Sequence, residues 1–270
     1  MSPTRPERYI IGGGREGADR LKVLACATWP TSEAFLRLAG LRPGMRCLDV
    51  GCGSGEMAFR MLDSFGVSEV VGLDCDAEAV QVARAVAAES GANARFSVVN
   101  IERDAIAERP DYDFVYARLL LSHLRDPGEC VRRLLAGLVP GGILAVEDVD
   151  FRGHFCHPPC PAFDRYVRWY EAASRLRGAD PWIGPRLPGL LIDSGLNQVR
   201  MSVALPTFLE GDGKLMGLLT LESIRHAVLQ LRLATEAHFD RTVAELREFT
   251  SDPRSMMSLP RLVQAWGTLG

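Results

Sequence analysis

Leu48-Asp49-Val50-Gly51-Cys52-Gly53-Ser54-Gly55 is the stretch that decides the fold. A short apolar run, Arg46–Val50, leads into a turn made almost wholly of small residues. Met57, Ala58, Met61, Leu62 and Phe65 then recur on a single helical stripe. Glycines at such a turn let the backbone reverse sharply and let a ligand approach where a Cβ would collide. The helix that follows offers free N–H groups at its start for polar ligand atoms. Asp74 ends the next apolar run, Glu69–Leu73, and stands 19 residues beyond Gly55. A carboxylate there is placed to accept both hydroxyls of a ribose across the carboxyl edge of a parallel sheet. Together the turn and the carboxylate define a nucleoside-binding crevice.

The same alternation of short apolar runs and helical patterns continues outward. Further strands are expected at Arg95–Val99, Asp113–Ala117 and Gly142–Glu147, each too apolar to be exposed on either face. Asp76 reads as an N-cap for a helix whose stripe is Ala79, Val82, Ala83 and Val86. Asp126-Pro127-Gly128-Glu129 reads as a capping box opening a helix through Val131, Leu134, Leu135 and Leu138. Right-handed crossovers make neighbouring strands parallel, so the fold class is α/β, a doubly wound Rossmann-like sheet with helices on both faces. Residues 1–40 read as a helical lid, 41–149 as the cofactor-binding core, and 150–270 as a substrate-side insertion plus closing strands of the same domain. In that last part a helix is expected over Phe163–Arg175, strands near Gln198–Leu205 and Leu259–Trp266, and a long helical segment from Leu215 to Phe249.

Composition narrows the function. The 270 residues carry 31 basic and 34 acidic side chains, a net charge of −3, which gives no footprint for a polyanion and argues against nucleic acid as a partner. A hydrophobic fraction of 47% is too high for disorder. The longest apolar stretch, Leu134 to Val146, is broken by Pro140-Gly141-Gly142 and is too short for a bilayer. Met1 to Glu16 contains no apolar export segment, and seven scattered cysteines suit reduced thiols, so a cytoplasmic location is expected. Glu56 stands where a dinucleotide fingerprint needs its third glycine, and its charge would repel a pyrophosphate.

Five motifs, in order over residues 41–149, resemble those of the class I S-adenosylmethionine-dependent methyltransferases, in their small-molecule branch. They are Leu48 to Gly55, Asp74, Asn100-Ile101, Asp113 to Arg118 followed by His123, and Pro140 to Leu144. Tyr9 to Gly13, Asp180 to Gly184 and the leucines Leu187, Leu190 and Leu191 look like the same branch. The resemblance implies a seven-stranded, mostly parallel sheet whose last strand is antiparallel, with S-adenosylmethionine as cofactor. It further implies that Asp49, Gly51, Cys52, Gly53 and Gly55 shape the methionine side of the pocket. Asp74 would hold the ribose with Cys75 beside the adenine, and Asn100 and Ile101 would flank the base. Ala117 and Arg118 would face the methionine moiety, and Tyr9 with Arg20 would close over the cofactor. Asn100 departs from the aspartate common in relatives and keeps only the acceptor oxygen.

Methyl transfer is mainly alignment and water exclusion, and a base helps only for an acceptor that must lose a proton. His123, Glu147, Asp148, His154 and His157 are candidates, with His157 preferred as the catalytic residue. His123 also reads as a packed helix residue, and the carboxylates as capping groups. His154 to Cys160 holds two His and two Cys, but their interleaving and the Pro-Pro stiffening argue against a metal, so none is expected. The aromatic stripe Phe163, Tyr166, Val167, Tyr170 and Ala173 suits either core or a cap over an apolar acceptor. The expected activity is methyl transfer to a small, apolar or aromatic metabolite. A cyclase that retains the cofactor, a non-catalytic cofactor-binding protein and a nucleic-acid methyltransferase are the rival readings.

Overall fold

The computed structural model describes residues 14–106 and 110–270. The described residues open with helix α1 (Gly14–Ala39), which continues through Pro30, and enter β1 (Arg46–Val50). Alternation then follows: α2 (Glu56–Phe65), β2 (Glu69–Asp74), α3 (Ala77–Ser90), β3 (Ala94–Val98), β4 (Tyr112–Arg118), α4 (Pro127–Leu135) and β5 (Leu138–Asp150). The remainder comprises β6 (Cys156–His157), α5 (Pro161–Leu176), α6 (Leu187–Asp193), β7 (Asn197–Ala204), β8 (Thr207–Phe208) and α7 (Asp212–Ser223). It closes with α8 (Arg225–Gln230), α9 (Glu236–Ser251), β9 (Met256–Ser258) and β10 (Arg261–Thr268).

Among the described residues seven strands form one sheet in the order β3-β2-β1-β4-β5-β10-β7. Pairing is parallel from β3 to β5, and β10 is antiparallel to both β5 and β7. This is the Rossmann-like α/β sheet expected. Because β2 and β3 extend to one side of β1 and β4 returns on the other, a topological switch point lies between the carboxyl ends of β1 and β4, where open α/β sheets bind ligands.

Each sheet face has its own apolar layer. One packs Leu48, Val115 and Leu144 against Val131 and Leu134 of α4 and Leu187 and Leu191 of α6. The other packs Cys47, Phe114 and Tyr116 against Phe35 and Leu36 of α1, Met57 and Met61 of α2, and Val80 and Ala83 of α3. A third cluster sits in a cap built from α5 and α7–α9, around Phe163, Tyr166, Trp169, Leu221, Phe239 and Leu246. A small sheet, β6-β9-β8, ties this cap to the residues just before β10. No helix among the described residues is long and apolar enough to cross a membrane.

Three local expectations are corrected. In α3 the buried face is Val80, Ala83 and Ala87, while Val82 and Val86 are 48% and 40% exposed. Asp76 sets the helix start by accepting from Glu78 N and Ala79 N, and the small alanines let the helix lie close to the sheet. Helix α4 stops at Leu135, and Leu138 begins β5, with Gly137 breaking the pattern between them. The segment from Leu215 to Phe249 is three helices, because Thr235 caps a new start, accepting from His238 N, after a left-handed residue at Arg232.

Candidate active site

The turn after β1 is fastened to the end of β2. Gly51 N and Cys52 N donate to Leu73 O at 2.7 and 3.1 Å. Asp74 accepts from Gly53 N at 2.8 Å on one oxygen and from Asp76 N at 2.9 Å on the other. Gly51 and Gly53 have φ of 78° and 52°, the left-handed region that glycine occupies without strain. A Cβ on Gly53 would stand in open space, where a ligand can approach the backbone. Gly55 serves differently from what the motif implied: it does not line the cavity, and a Cβ there would meet the Phe96 ring at 2.8 Å. The same ring would be 2.4 Å from a Cβ on Gly72, so Phe96 props the turn from below.

A cavity of about 250 Å³ opens at the switch point. Asp49, Gly51, Cys52, Gly53, Asp74, Cys75, Asn100, Ile101, Arg118 and Arg20 all line it. Ala117 does not; it is buried within the sheet between Val50 and Val146, because side chains alternate along β4 and its neighbour Arg118 takes the exit position. Tyr9 lies outside the described residues. Asn100 Oδ1 accepts from Glu102 N at 3.0 Å, so the side chain also braces its own turn.

Asp49 is 2% exposed, and its Oδ2 is buried without a hydrogen-bond partner. Burial pushes its carboxyl up to about 7, against the opposing pull of the Arg118 guanidinium. A carboxylate held at such cost among polar backbone is prepared for a cationic ligand group.

Arg118 joins the cavity to a buried staple. Its Nε donates to Glu147 Oε1 at 3.0 Å, and its Nη2 donates to Thr28. Glu147, fully buried, also accepts from Ser32 Oγ at 2.7 Å, from the Tyr116 phenol at 3.4 Å and from Gln264. Four elements, α1, β4, β5 and β10, therefore meet on one carboxyl group. Glu147 does not line the cavity, which makes it a structural group and not a base. Asp148 is likewise buried away from the cavity, accepting from Ser122 N at 3.0 Å and Val149 N at 2.8 Å.

The cap closes the far side. Phe151 stacks on Tyr170 at 4.0 Å and 7°, and Tyr166, Met216, Thr220 and Leu262 complete an aromatic and apolar chamber. The catalytic expectation needs correction here. His157 is exposed on β6, where it pairs with Met256, and does not line the cavity. His154, three residues earlier, turns inward and stands edge-on to Phe163 at 4.7 Å and Tyr166 at 5.6 Å. Burial lowers its imidazole to about 3, against a smaller upward pull from the Ser258 backbone. His123 also lines the cavity, and burial, aided by the Arg20 charge, lowers it to about 4. Both rings are neutral near pH 7. Among the described residues no group of three or more His, Cys, Asp or Glu side chains could hold a metal.

Arg20 is 8% exposed and grips Thr220 Oγ1 of α7 through Nη2 at 3.0 Å and Nε at 3.3 Å. Sequence reading missed Thr220, and also Leu119, a left-handed residue (φ 51°) at the exit of β4 whose N donates to Glu147 O. It missed Leu120 too, which packs against Gly51. The Leu119-Leu120-Leu121 run carries no local signal of a strained turn facing a ligand.

Residues 41–169, the span that contains both the glycine turn and the entry to the cap, match the family described as "Methyltransferase domain". Over this span the chain is similar to that family. The chain is 31% identical over 143 residues to phosphoethanolamine N-methyltransferase 3 of Arabidopsis thaliana, covering 51% of this chain and 27% of that protein. It is 30% identical over 138 residues to a ubiquinone biosynthesis O-methyltransferase of Bordetella avium (strain 197N), covering 46% of this chain and 56% of that protein. The chain thus spans between about a quarter and just over half the length of these curated relatives. The chain also superposes on Haemonchus contortus phosphoethanolamine N-methyltransferase 2, with a TM-score of 0.56 and 19% identity, covering 89% of this chain and 52% of that one. That likeness is one of fold.

Proposed function

We propose that this chain binds S-adenosylmethionine at the switch point and transfers its methyl group to a small, apolar or aromatic metabolite held under the cap. The observation that carries the reading is that one cavity is lined at one end by Asp49, Gly53 and Asp74 and at the other by Phe151, Tyr166 and Tyr170. The residues fit the cofactor. Asp49 Oδ2 lacks a hydrogen-bond partner among the described residues and suits an ammonium, Asp74 brings a carboxylate to the cavity as a ribose would require, and Gly53 leaves the backbone bare. Cys75, Asn100 and Ile101 line the same cavity, which supports reading them as the flanks of the adenine.

The sulfonium, when bound, supplies an electrophilic methyl group. The protein's part is to orient the acceptor in line with that methyl and to exclude water. The stacked Phe151–Tyr170 pair and the buried cap supply the dry wall. His123 and His154, neutral and weakly basic, suit hydrogen-bond acceptance from an acceptor hydroxyl better than storage of its proton.

Isothermal titration calorimetry with S-adenosylmethionine tests the site. Asp74→Ala removes a charged acceptor and frees the glycine turn, so affinity should fall by about 100-fold. An Asp74→Ala variant that binds as tightly as wild type would refute the placement. Release of S-adenosylhomocysteine with added acceptors separates transfer from mere retention of the cofactor.

A further inference from the structure

The large sheet finishes its two edges differently. On one side the exposed side chains of β3 are Arg95 and Ser97, and Arg95 pairs with Glu69 of β2. Charges on an edge strand discourage pairing with another chain. On the other side β7 is the last strand among the described residues, and it holds no lysine, proline or acid. Two of its side chains, Met201 and Val203, are 50% and 52% exposed.

These side chains carry an apolar layer past its cover. Met201 and Val203 stand opposite Ala265 and Val263 of β10, so all four point to one face of the sheet. Ala265 and Val263 are buried in the layer they share with Leu187 and Leu191 of α6, whereas their neighbours on β7 are left half-exposed. Helix α6 adds Ile192, which is 60% exposed. Six of the eleven large apolar side chains exposed among the described residues lie between 192 and 215, so apolar surface is gathered here and not scattered.

A second β7 fits this edge. Antiparallel pairing about Met201 sets that residue against its own copy and Val199 against Val203, all on the apolar face. On the opposite face the strand's one charge, Arg200, falls across from Ser202 and not across from another Arg200. A two-fold axis at Met201 therefore joins apolar to apolar and opposes no like charges. The strand is irregular only at its start, where Gln198 has φ 51° and the register with β10 shifts between Trp266 and Thr268.

We infer that β7 is an interface for a second copy of this chain, forming a two-fold dimer whose seven-stranded sheets meet edge to edge about Met201. Met201 and Val203 of both copies, flanked by Ile192, become the apolar centre of that contact. No residue of β7 lines the cavity, so the dimer stands independently of the methyl-transfer reading.

The test uses the full chain without ligand. Sedimentation equilibrium on wild type at about 100 µM should give twice the mass of the chain, with dissociation on dilution. Met201→Lys sets two ammonium groups face to face across the axis and should weaken association at least tenfold. Val203→Lys repeats the test at a second half-exposed position on the same face. Leu176→Lys, at a 63% exposed apolar site at the end of α5, should leave the dimer unchanged. Circular dichroism should show the same thermal midpoint for all three variants at a dilution where wild type is monomeric. Amide hydrogen exchange over residues 199–204 should be slower in concentrated than in dilute wild type. A wild type that stays monomeric at about 100 µM overturns the inference. So does a dimer that survives both Met201→Lys and Val203→Lys, one lost equally in Leu176→Lys, or concentration-dependent protection that spares β7.

Discussion

At the glycine-turn end of the cavity the defining hydrogen bond, Gly53 N to Asp74, spans 21 residues; at the cap end, Arg20 to Thr220, it spans 200. The first end is assembled by one βαβ unit, where backbone N–H groups, glycine conformations and a strand-end carboxylate are set by neighbours in sequence. The second exists only once α1, α5 and α7 have been brought together by the packing of two separate apolar clusters. Local chemistry thus builds the end proposed to hold the cofactor, and long-range packing builds the end proposed to take the acceptor.

Glu147 joins the two ends, so its removal is expected to have the largest effect. Glu147→Ala leaves the nearly buried Arg118 guanidinium without its ion partner and Ser32, Tyr116 and Gln264 without an acceptor, and should cost about 3–5 kcal/mol in urea unfolding. A loss under about 1 kcal/mol would mean that the two ends cohere without it.

The cap should be the acid-sensitive part. His154 and His123 have folded-state values lowered to about 3 and about 4 from an ordinary 6.5. Their contribution is complete above pH 6.5 and is lost as pH falls below it, because the unfolded chain then binds protons that the folded chain refuses. Each histidine should cost about 2 kcal/mol at pH 5 relative to pH 7.5, and His154→Phe should recover its share. Identical acid profiles for wild type and His154→Phe would contradict the buried, neutral assignment.

The glycine-turn end should respond to pH in ligand binding instead. Asp49, at about 7, must ionise to hold an ammonium, so cofactor affinity should rise several-fold from pH 6 to about pH 7.5 and fall again once the ligand's own ammonium loses its proton. Asp49→Asn should bind more weakly and lose the rise; a persistent rise would assign it to another group.

The smallest effects test how much of this was readable beforehand. The strands, the N-caps at Asp76 and Asp126, and the carboxylate at Asp74 were legible because each depends on residues within a turn or two of itself. The phase of α3 was not, because two apolar stripes compete there and only packing against the sheet chooses Val80, Ala83 and Ala87. Val82→Glu should therefore change stability by less than about 0.5 kcal/mol, whereas Ala83→Leu should destabilise by about 1–3 kcal/mol through overpacking. The choice between His154 and His157 was likewise invisible, since both stand in one proline-rich stretch and only the pairing of β6 with β9 sends one inward and the other to solvent. His157→Ala should leave methyl transfer within twofold of wild type.

The account stands most directly on a crystal structure of the chain with S-adenosylhomocysteine. It predicts the ribose hydroxyls within hydrogen-bond distance of Asp74, the amino group on Asp49 Oδ2 and the backbone of Gly53 against the ligand. A ligand bound elsewhere, or bound there with its amino group on the cap side beside Arg20, would contradict it.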